Sequence, residues 1–427
     1  SGGGSSGNSS NVVGTPTGPD SPDSPVQAEI RVPATVDSNN NATVSVTAQM
    51  INDAINKAQA EAEKNGHEQN DIALVLKIDT GNETTGTITV NLPKAVQETI
   101  IEKGIVSTII VVDNLDIVIN MDLETVKEIN RQANGDANIT ATRADNSGLP
   151  AEAGNAVGSR PVFDINVNYG SGSQVQNFGD GSVWVTIPYT LRENEKAENI
   201  CAVYIDQNGN VYWLSNSVYD SDEKVLRFRT NHFSLYGVGY NDTASKFTDI
   251  AGHWAKSDIE FMASRGLFAG TSKTTFSPNM AMSRGMFVTV LGRLAGVDVS
   301  KYKKSSFTDV NNNSYYVDYI LWAKDNNIAL GTGNGEFSPD EPITREQMAT
   351  MLLNYTKAMD IILPKVQEEK TFADSAKISG YAREALKQMQ MAGLMVGNNN
   401  LVEPQGTATR AAGAAVIRRF IELMFDR

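Results

Sequence analysis

Three arginines stand at matching places late in the chain. Arg284, Arg345 and Arg410 each lie six residues beyond a proline (Pro278, Pro339, Pro404) and directly behind a hydroxyl residue, Ser283, Thr344 or Thr409. Ser or Thr ahead of an apolar periodic run caps a helix, so each arginine is expected in a first helical turn. A cation there opposes the helix dipole and gains little locally, so its reason lies elsewhere. A guanidinium fork holds a carboxylate through two parallel hydrogen bonds, which lysine does not reproduce. The same stretch supplies Trp254, Tyr315 and Tyr381, whose faces can stack on a sugar ring or simply fill space between helices. It also supplies Gly270, Gly331 and Gly397, followed by Thr271, Thr332 and Asn398, where backbone N–H groups can approach a ligand.

These residues recur because the chain repeats itself. The copies open Phe247-Thr248-Asp249, Phe307-Thr308-Asp309 and Phe372-Ala373-Asp374, at offsets of 60 and 65 residues. Five positions after each aromatic comes an apolar residue of a first helix, Ile259, Ile320 or Leu386. A glycine loop ends that helix. Phe276-Ser277-Pro278, Phe337-Ser338-Pro339 and Val402-Glu403-Pro404 then lead into the arginine and a second helix. Val290, Leu291 and Leu294 match Met351, Leu352 and Tyr355, and these match Val416, Ile417 and Phe420, in a common core stripe. Thr344 with Gln347 spells a capping box, and Asp249, Asp309 and Asp374 read as helix caps or turn formers.

The pattern from Phe-Thr-Asp through Gly-Thr and Phe-Ser-Pro to Thr-Arg-Glu resembles the S-layer homology family over about residues 247–427. The resemblance implies three repeats (247–306, 307–371 and 372–427) in an all-α pseudo-threefold bundle with grooves between neighbours. It implies a secondary cell-wall polysaccharide as ligand, commonly bearing a pyruvate ketal. Carried over by position, the groove residues are Arg284, Arg345, Arg410, Trp254, Tyr315, Tyr381, Gly270, Thr271, Gly331, Thr332 and Gly397. Met286, Gln347 and Ala412 replace the glutamate usual after the arginine. Copy three also has Asn398 for threonine and Gly413 inside its second helix, where glycine costs about 1 kcal/mol relative to alanine. These departures put the expectation on Arg284 and Arg345 more than on Arg410.

The front of the chain differs. Of the 427 residues, 1–245 carry a net charge of −16 and 246–427 a net of +2. The acidic front repels polyanions, which argues against nucleic-acid binding. After a Gly/Ser/Pro linker at 1–25, an α+β module is expected over 26–147, with helices capped by Thr47 and Asp122 and a hairpin across Asp113-Asn114. A Gly and Ala rich joint then leads to a β-sandwich-like module at 159–241, whose end, Thr230 to Tyr236, resembles β-rich accessory modules that often precede S-layer homology repeats. Asp206-Gln207-Asn208-Gly209 signals a hairpin turn; the spacing of Asp206, Asn208 and Asn210 also matches the start of a calcium loop, without its later glutamate. Cys201, the single cysteine, sits in an apolar run as a buried strand residue with no disulfide partner. The apolar stretch 104–121 is broken by Asp113, Asn114 and Asp116, so no membrane insertion is expected.

Catalytic signatures are absent. There are three histidines, His67, His232 and His253, and no HExxH, Walker loop or CxxC. No catalytic residue, metal site or cofactor is expected. The reading is a secreted, wall-associated chain anchored through cell-wall polysaccharide. The alternatives are the tail of a surface glycoside hydrolase, with catalytic domain and export signal upstream of Ser1, or a self-assembling lattice protein whose partners include other S-layer subunits.

Overall fold

A computed structural model describes residues 24–66, 71–81, 85–112, 115, 117–302 and 305–425. His67, the Asp113-Asn114 turn and nearly all of the 1–25 linker lie outside the described residues. The described residues divide into two compact units, one within 24–241 with 423–425 and one within 242–422.

The first unit mixes strands and helices. In chain order it comprises β1 (Val26–Pro33), β2 (Thr35–Val36), β3 (Asn41–Ser45), α1 (Ala48–Lys64), β4 (Ile72–Asp79), β5 (Thr87–Leu92), α2 (Lys94–Glu102), β6 (Ser107–Val112), β7 (Ile117–Asp122), α3 (Leu123–Ala133), β8 (Ala137–Arg143) and α4 (Ala151–Val157). It continues through β9 (Val162–Tyr169), β10 (Ser173–Gln174), β11 (Val183–Pro188), β12 (Ile200–Ile205), β13 (Val211–Trp213), β14 (Ser217–Asp220), β15 (Val225–Thr230) and β16 (Leu235–Tyr240). The helices start where their caps place them: Thr47 Oγ1 accepts from Met50 N at 3.2 Å and Asp122 Oδ1 from Thr125 N at 2.8 Å.

The strands form two sheets, β1-β4-β6-β7-β11-β15-β14 and β13-β12-β16-β9-β8-β5-β3-β2, with β10 paired to β9. The structure corrects three expectations. Segments 26–147 and 159–241 are not separate modules, because β7 pairs with β11 and β8 with β9, so both segments contribute to both sheets. The later segment is not a sandwich of its own for the same reason. Nor is the Gly and Ala rich stretch a joint: Pro150 opens and Gly158 closes the short helix α4. β6 is buried along its whole length, and β4 along its first five residues, as parallel strands covered on both faces are. One core draws Leu74 and Leu76 from the first sheet, Phe163 and Ile165 from the second, and the stripes Ile51/Ile55, Val96/Ile100 and Val126/Ile129 from α1 to α3. Cys201 is fully buried on β12.

The second unit has no named strand among its described residues. Its helices come in pairs: α5 (Lys256–Ser264) and α6 (Arg284–Leu294), α7 (Val317–Asp325) and α8 (Arg345–Ala358), α9 (Arg383–Met391) and α10 (Arg410–Leu423). The expected core stripes are buried in all three second helices. The expected all-α description omits one feature. Ahead of each second helix a short extended piece bridges to the next copy, and the three pieces close a ring: Ile343 N donates to Met282 O at 2.8 Å, Ala408 N to Ile343 O at 3.0 Å and Met282 N to Ala408 O at 2.8 Å. Each copy thus donates to the one before it, and the third accepts from the first. Gly413, costly by propensity, has a packing reason, since a Cβ there would lie 2.3 Å from Met282 Sδ.

Among the described residues no helix is long and apolar enough to cross a membrane.

Candidate functional site

The ring decides what each arginine meets. Ser283, Thr344 and Thr409 cap their helices as expected, and Thr344 with Gln347 completes the capping box. With the cap fixed, the first-turn side chain reaches the Phe-Ser-Pro loop of the next copy. Arg284 Nε donates to Phe337 O at 3.0 Å, Arg345 Nε to Val402 O at 2.8 Å and Arg410 Nε to Phe276 O at 3.0 Å. Arg284 lies over the Phe337 ring at 4.9 Å, and Arg410 over Phe268 and Phe276 at 4.5 Å each. Arg284 and Arg410 are 5% and 4% exposed, while Arg345 is partly exposed.

Among the described residues no carboxylate lies within ion-pair distance of these three arginines. Burial pushes all three guanidinium pKa values down, that of Arg410 to about 10, and all remain charged at neutral pH. A buried cation without a counter-ion is costly unless a ligand supplies the charge. The three differ in free capacity. The terminal nitrogens of Arg410 are engaged, Nη2 by Ala269 O at 2.6 Å and Nη1 by Met286 Sδ at 3.7 Å. Those of Arg284 and Arg345 carry no hydrogen bond among the described residues. Arg345, however, feels Glu403, whereas Arg284 has Ser338 in the matching loop.

The loop itself is held by a device the sequence reading missed. Asp249 accepts from Phe276 N at 2.8 Å and Ser277 N at 2.7 Å; Asp309 from Phe337 N at 2.9 Å and Ser338 N at 2.7 Å; Asp374 from Val402 N at 2.9 Å and Glu403 N at 2.8 Å. These aspartates are loop clamps, not helix caps. The clamp fixes Ser277, Ser338 and Glu403 at φ of 58°, 56° and 50°, a left-handed state that costs a non-glycine residue roughly 1–2 kcal/mol. Burial alone would raise the Asp249 and Asp374 carboxyls, but the amide hydrogen bonds outweigh it and hold both below the ordinary value. One signal could have found the clamp: the aspartate precedes its loop by 27, 28 and 28 residues in the three copies.

The glycines are explained by packing. A Cβ on Gly270, Gly331 or Gly397 would lie 2.5, 2.9 or 2.4 Å from the opening ring of Phe247, Phe307 or Phe372. The neighbouring amides are also spent, Thr271 N on Thr275 O and Thr332 N on Glu336 O, both at 2.9 Å, so they do not present free N–H groups. The threonine hydroxyls tie the loops instead, Thr271 Oγ1 to Ser277 Oγ at 2.6 Å and Thr332 Oγ1 to Ser338 Oγ at 2.7 Å. In copy three Asn398 and Glu403 replace this pair.

Trp254, Tyr315 and Tyr381 are 65%, 57% and 59% exposed, too open for interhelical filler. Tyr381 and Asp309 act electrostatically on Arg284, and Tyr315 and Asp249 on Arg410. Those two arginines therefore each sit with a clamp from the next copy and an aromatic from the remaining one. Tyr381 Oη donates to Glu346 Oε1 at 3.2 Å; burial and that carboxylate push its pKa up to about 12. His253 is structural, its Nδ1 accepting from Ala255 N at 3.1 Å.

The S-layer homology domain matches residues 246–285 and 306–349. An endoglucanase of Bacillus sp. (strain KSM-635) is 34% identical over 176 residues, 41% of this chain and 18% of that protein. An amylopullulanase of Thermoanaerobacterium thermosulfurigenes is 28% identical over 243 residues, 56% of this chain and 13% of that protein. The S-layer protein sap of Bacillus anthracis is 28% identical over 174 residues, 40% of this chain and 21% of that protein. The chain thus spans only about a fifth or less of the length of these relatives. Residues 246–285 and 306–349 thus match the S-layer homology domain, and the third copy repeats their ring bonds, clamp and arginine.

Proposed function

We propose that the second unit anchors its polypeptide to the bacterial cell surface by binding an anionic wall polysaccharide, with the Arg284 groove as the principal site. Arg284 carries the reading: a buried cation with no carboxylate partner and unbonded terminal nitrogens among the described residues, set in a clamped loop beside an exposed aromatic. Its fork suits a carboxylate such as a pyruvate ketal, and Tyr381 offers a face for the sugar. The three copies act together as one pseudo-threefold bundle. The grooves are unequal: Glu403 offsets the charge of Arg345, and Arg410 has spent its terminal nitrogens within the fold. Arg345 is therefore a weaker site than the repeat pattern alone suggests, and Trp254, by the same threefold relation, belongs to that weaker groove.

The relatives include both S-layer proteins and polysaccharide-degrading enzymes. On this reading the anchor has no catalytic role, its localisation is the cell wall, and its cargo is either a lattice subunit or a hydrolase. Formation of two-dimensional arrays by the isolated chain separates the two. The anchor itself is tested by binding to purified wall sacculi before and after removal of the polysaccharide. Stripping abolishes binding and Arg284→Ala lowers affinity tenfold or more with the helical circular dichroism unchanged; equal binding to stripped sacculi would sink the proposal.

A further inference from the structure

The first unit holds a polar cleft that the anchor does not use. A cleft of about 330 Å³ opens where the Asp206–Gly209 turn after β12, the loop before β16 and the β9–β10 pair meet, and Asn166, Gln176, Tyr204, Asn208 and His232 line it. Its lining holds no Lys or Arg. The one carboxylate, Asp206, is consumed by its own turn: Oδ1 accepts from Asn208 N at 2.9 Å and Asn210 N at 2.8 Å, and Oδ2 from Asn210 Nδ2 at 2.8 Å. The Asp206, Asn208, Asn210 spacing is thus a turn device. Asp206 is the one charged group in the lining, and the rest offers neutral polar and apolar groups.

Part of that polar capacity is spent, Asn166 Nδ2 on Asp164 Oδ1 at 2.7 Å and Gln176 Nε2 on Gln174 O at 3.3 Å, and part is not. Among the described residues neither Tyr204 Oη nor the Asn208 side-chain amide carries a hydrogen bond, and His232 uses its Nδ1 side on Asn231 Oδ1 at 3.2 Å, leaving Nε2 open. The rings are fixed in advance. Tyr204 stacks on Tyr212 at 5.3 Å and 21°, and His232 meets Tyr204 edge-on at 4.8 Å. Pre-set rings lose little freedom when a ligand arrives. Uncharged donors and acceptors around aromatic surface match a polyol, whose hydroxyls alternate donor and acceptor and whose ring C–H faces are apolar. A phosphate or carboxylate finds no cation here, and a metal finds no free carboxylate.

We propose that this cleft binds a neutral oligosaccharide, of hexose or N-acetylhexosamine units, as a second glycan site independent of the arginine grooves. Cellotriose and the N-acetylglucosamine trimer are the probes, titrated by saturation-transfer NMR into the full chain carrying Arg284→Ala, so that the anchor groove is silent. At least one probe binds with a Kd of roughly 0.1–10 mM, and Tyr204→Phe and Asn208→Ala each weaken it about three- to tenfold, the loss of one hydrogen bond, without a change in Tm. Binding undiminished in the Tyr204→Phe/Asn208→Ala double variant, or no binding of either trimer at about 10 mM, overturns the proposal. Neither result bears on the sacculus assay, which reads Arg284.

Discussion

If the aspartate clamp sets the groove, replacing Asp309 by asparagine should damage stability and binding together. The substituted side chain would keep one acceptor oxygen and turn an amide NH2 toward the second backbone N–H. One of two charge-assisted hydrogen bonds, now 2.9 Å to Phe337 N and 2.7 Å to Ser338 N, is then lost, and the other becomes a neutral pair. Losing a hydrogen bond to a charged group costs about 1.5–3 kcal/mol, and the weakening of the second adds about 0.5–1 kcal/mol, so Asp309→Asn should destabilise the second unit by roughly 2–4 kcal/mol. In a unit of this size that lowers Tm by about 4–16 °C, measurable by calorimetry. Ser338 at φ 56° is then free to relax, and with it the Phe337 carbonyl that holds Arg284 Nε at 3.0 Å. Affinity for wall sacculi should therefore fall even at temperatures where the unit stays folded. Asp249→Asn and Asp374→Asn are internal controls, since their clamp distances agree with those of Asp309 to within 0.1 Å. Their stability loss should match while their effect on binding is smaller, because they serve the loops facing Arg410 and Arg345. A Tm change below about 1 °C for Asp309→Asn would refute the clamp as the source of loop geometry.

Four further outcomes follow from the same geometry. Arg284→Lys keeps the charge but loses the fork, so sacculus affinity should drop about tenfold or more, while Arg345→Lys should change it little; equal losses would contradict the inequality of the grooves. Glu403→Ser removes the carboxylate acting on Arg345 and should raise affinity, most visibly in an Arg284→Ala background where the second groove is read alone. Gly397→Ala combines φ +75° with a Cβ 2.4 Å from the Phe372 ring, whereas Gly252 at φ +74° has open space, so their alanine variants should differ in unfolding free energy by about 1–3 kcal/mol, the cost of overpacking. Because the folded-state pKa values of Asp249 and Asp374 are depressed, their contribution is present above the ordinary value of 3.8 and is lost as pH falls below it. Acid unfolding of the second unit should accordingly lose its steepness in the Asp249→Asn/Asp374→Asn double variant.

What could be read from the sequence was local or repeated. Thr47, Asp122 and Thr344 announce helix starts because a cap acts over three residues. The arginines, glycines and openings announce themselves because a residue met three times in phase is seldom accidental. Sheet membership is different in kind: nothing near Ile117–Asp122 says that Val183 will pair with Met121, since register is settled by long-range burial. The same limit hid the grooves. Copy three departs most from the pattern, yet its Glu403 loop faces Arg345, and Arg410 faces the intact loop of copy one. Divergence in a copy is felt by the arginine of the copy before it.

On the proposed function, that offset makes the anchor work only as a whole. The proposed Arg284 site takes its cation from copy one, its clamp and loop from copy two and its aromatic from copy three, and the ring of backbone bonds through Met282, Ile343 and Ala408 holds the three in phase. No single copy contains a complete site, so a lone repeat should fold poorly and bind nothing, and loss of any one opens the ring for the other two. The same coupling runs in reverse. A ligand that supplies the missing carboxylate to Arg284 binds only the closed ring, and at a hundred times its Kd it would stabilise that ring by about 2.7 kcal/mol. On the proposed function, attachment to the wall would stiffen the anchor that makes it, and an anchor stripped of its glycan should be the form that unfolds first.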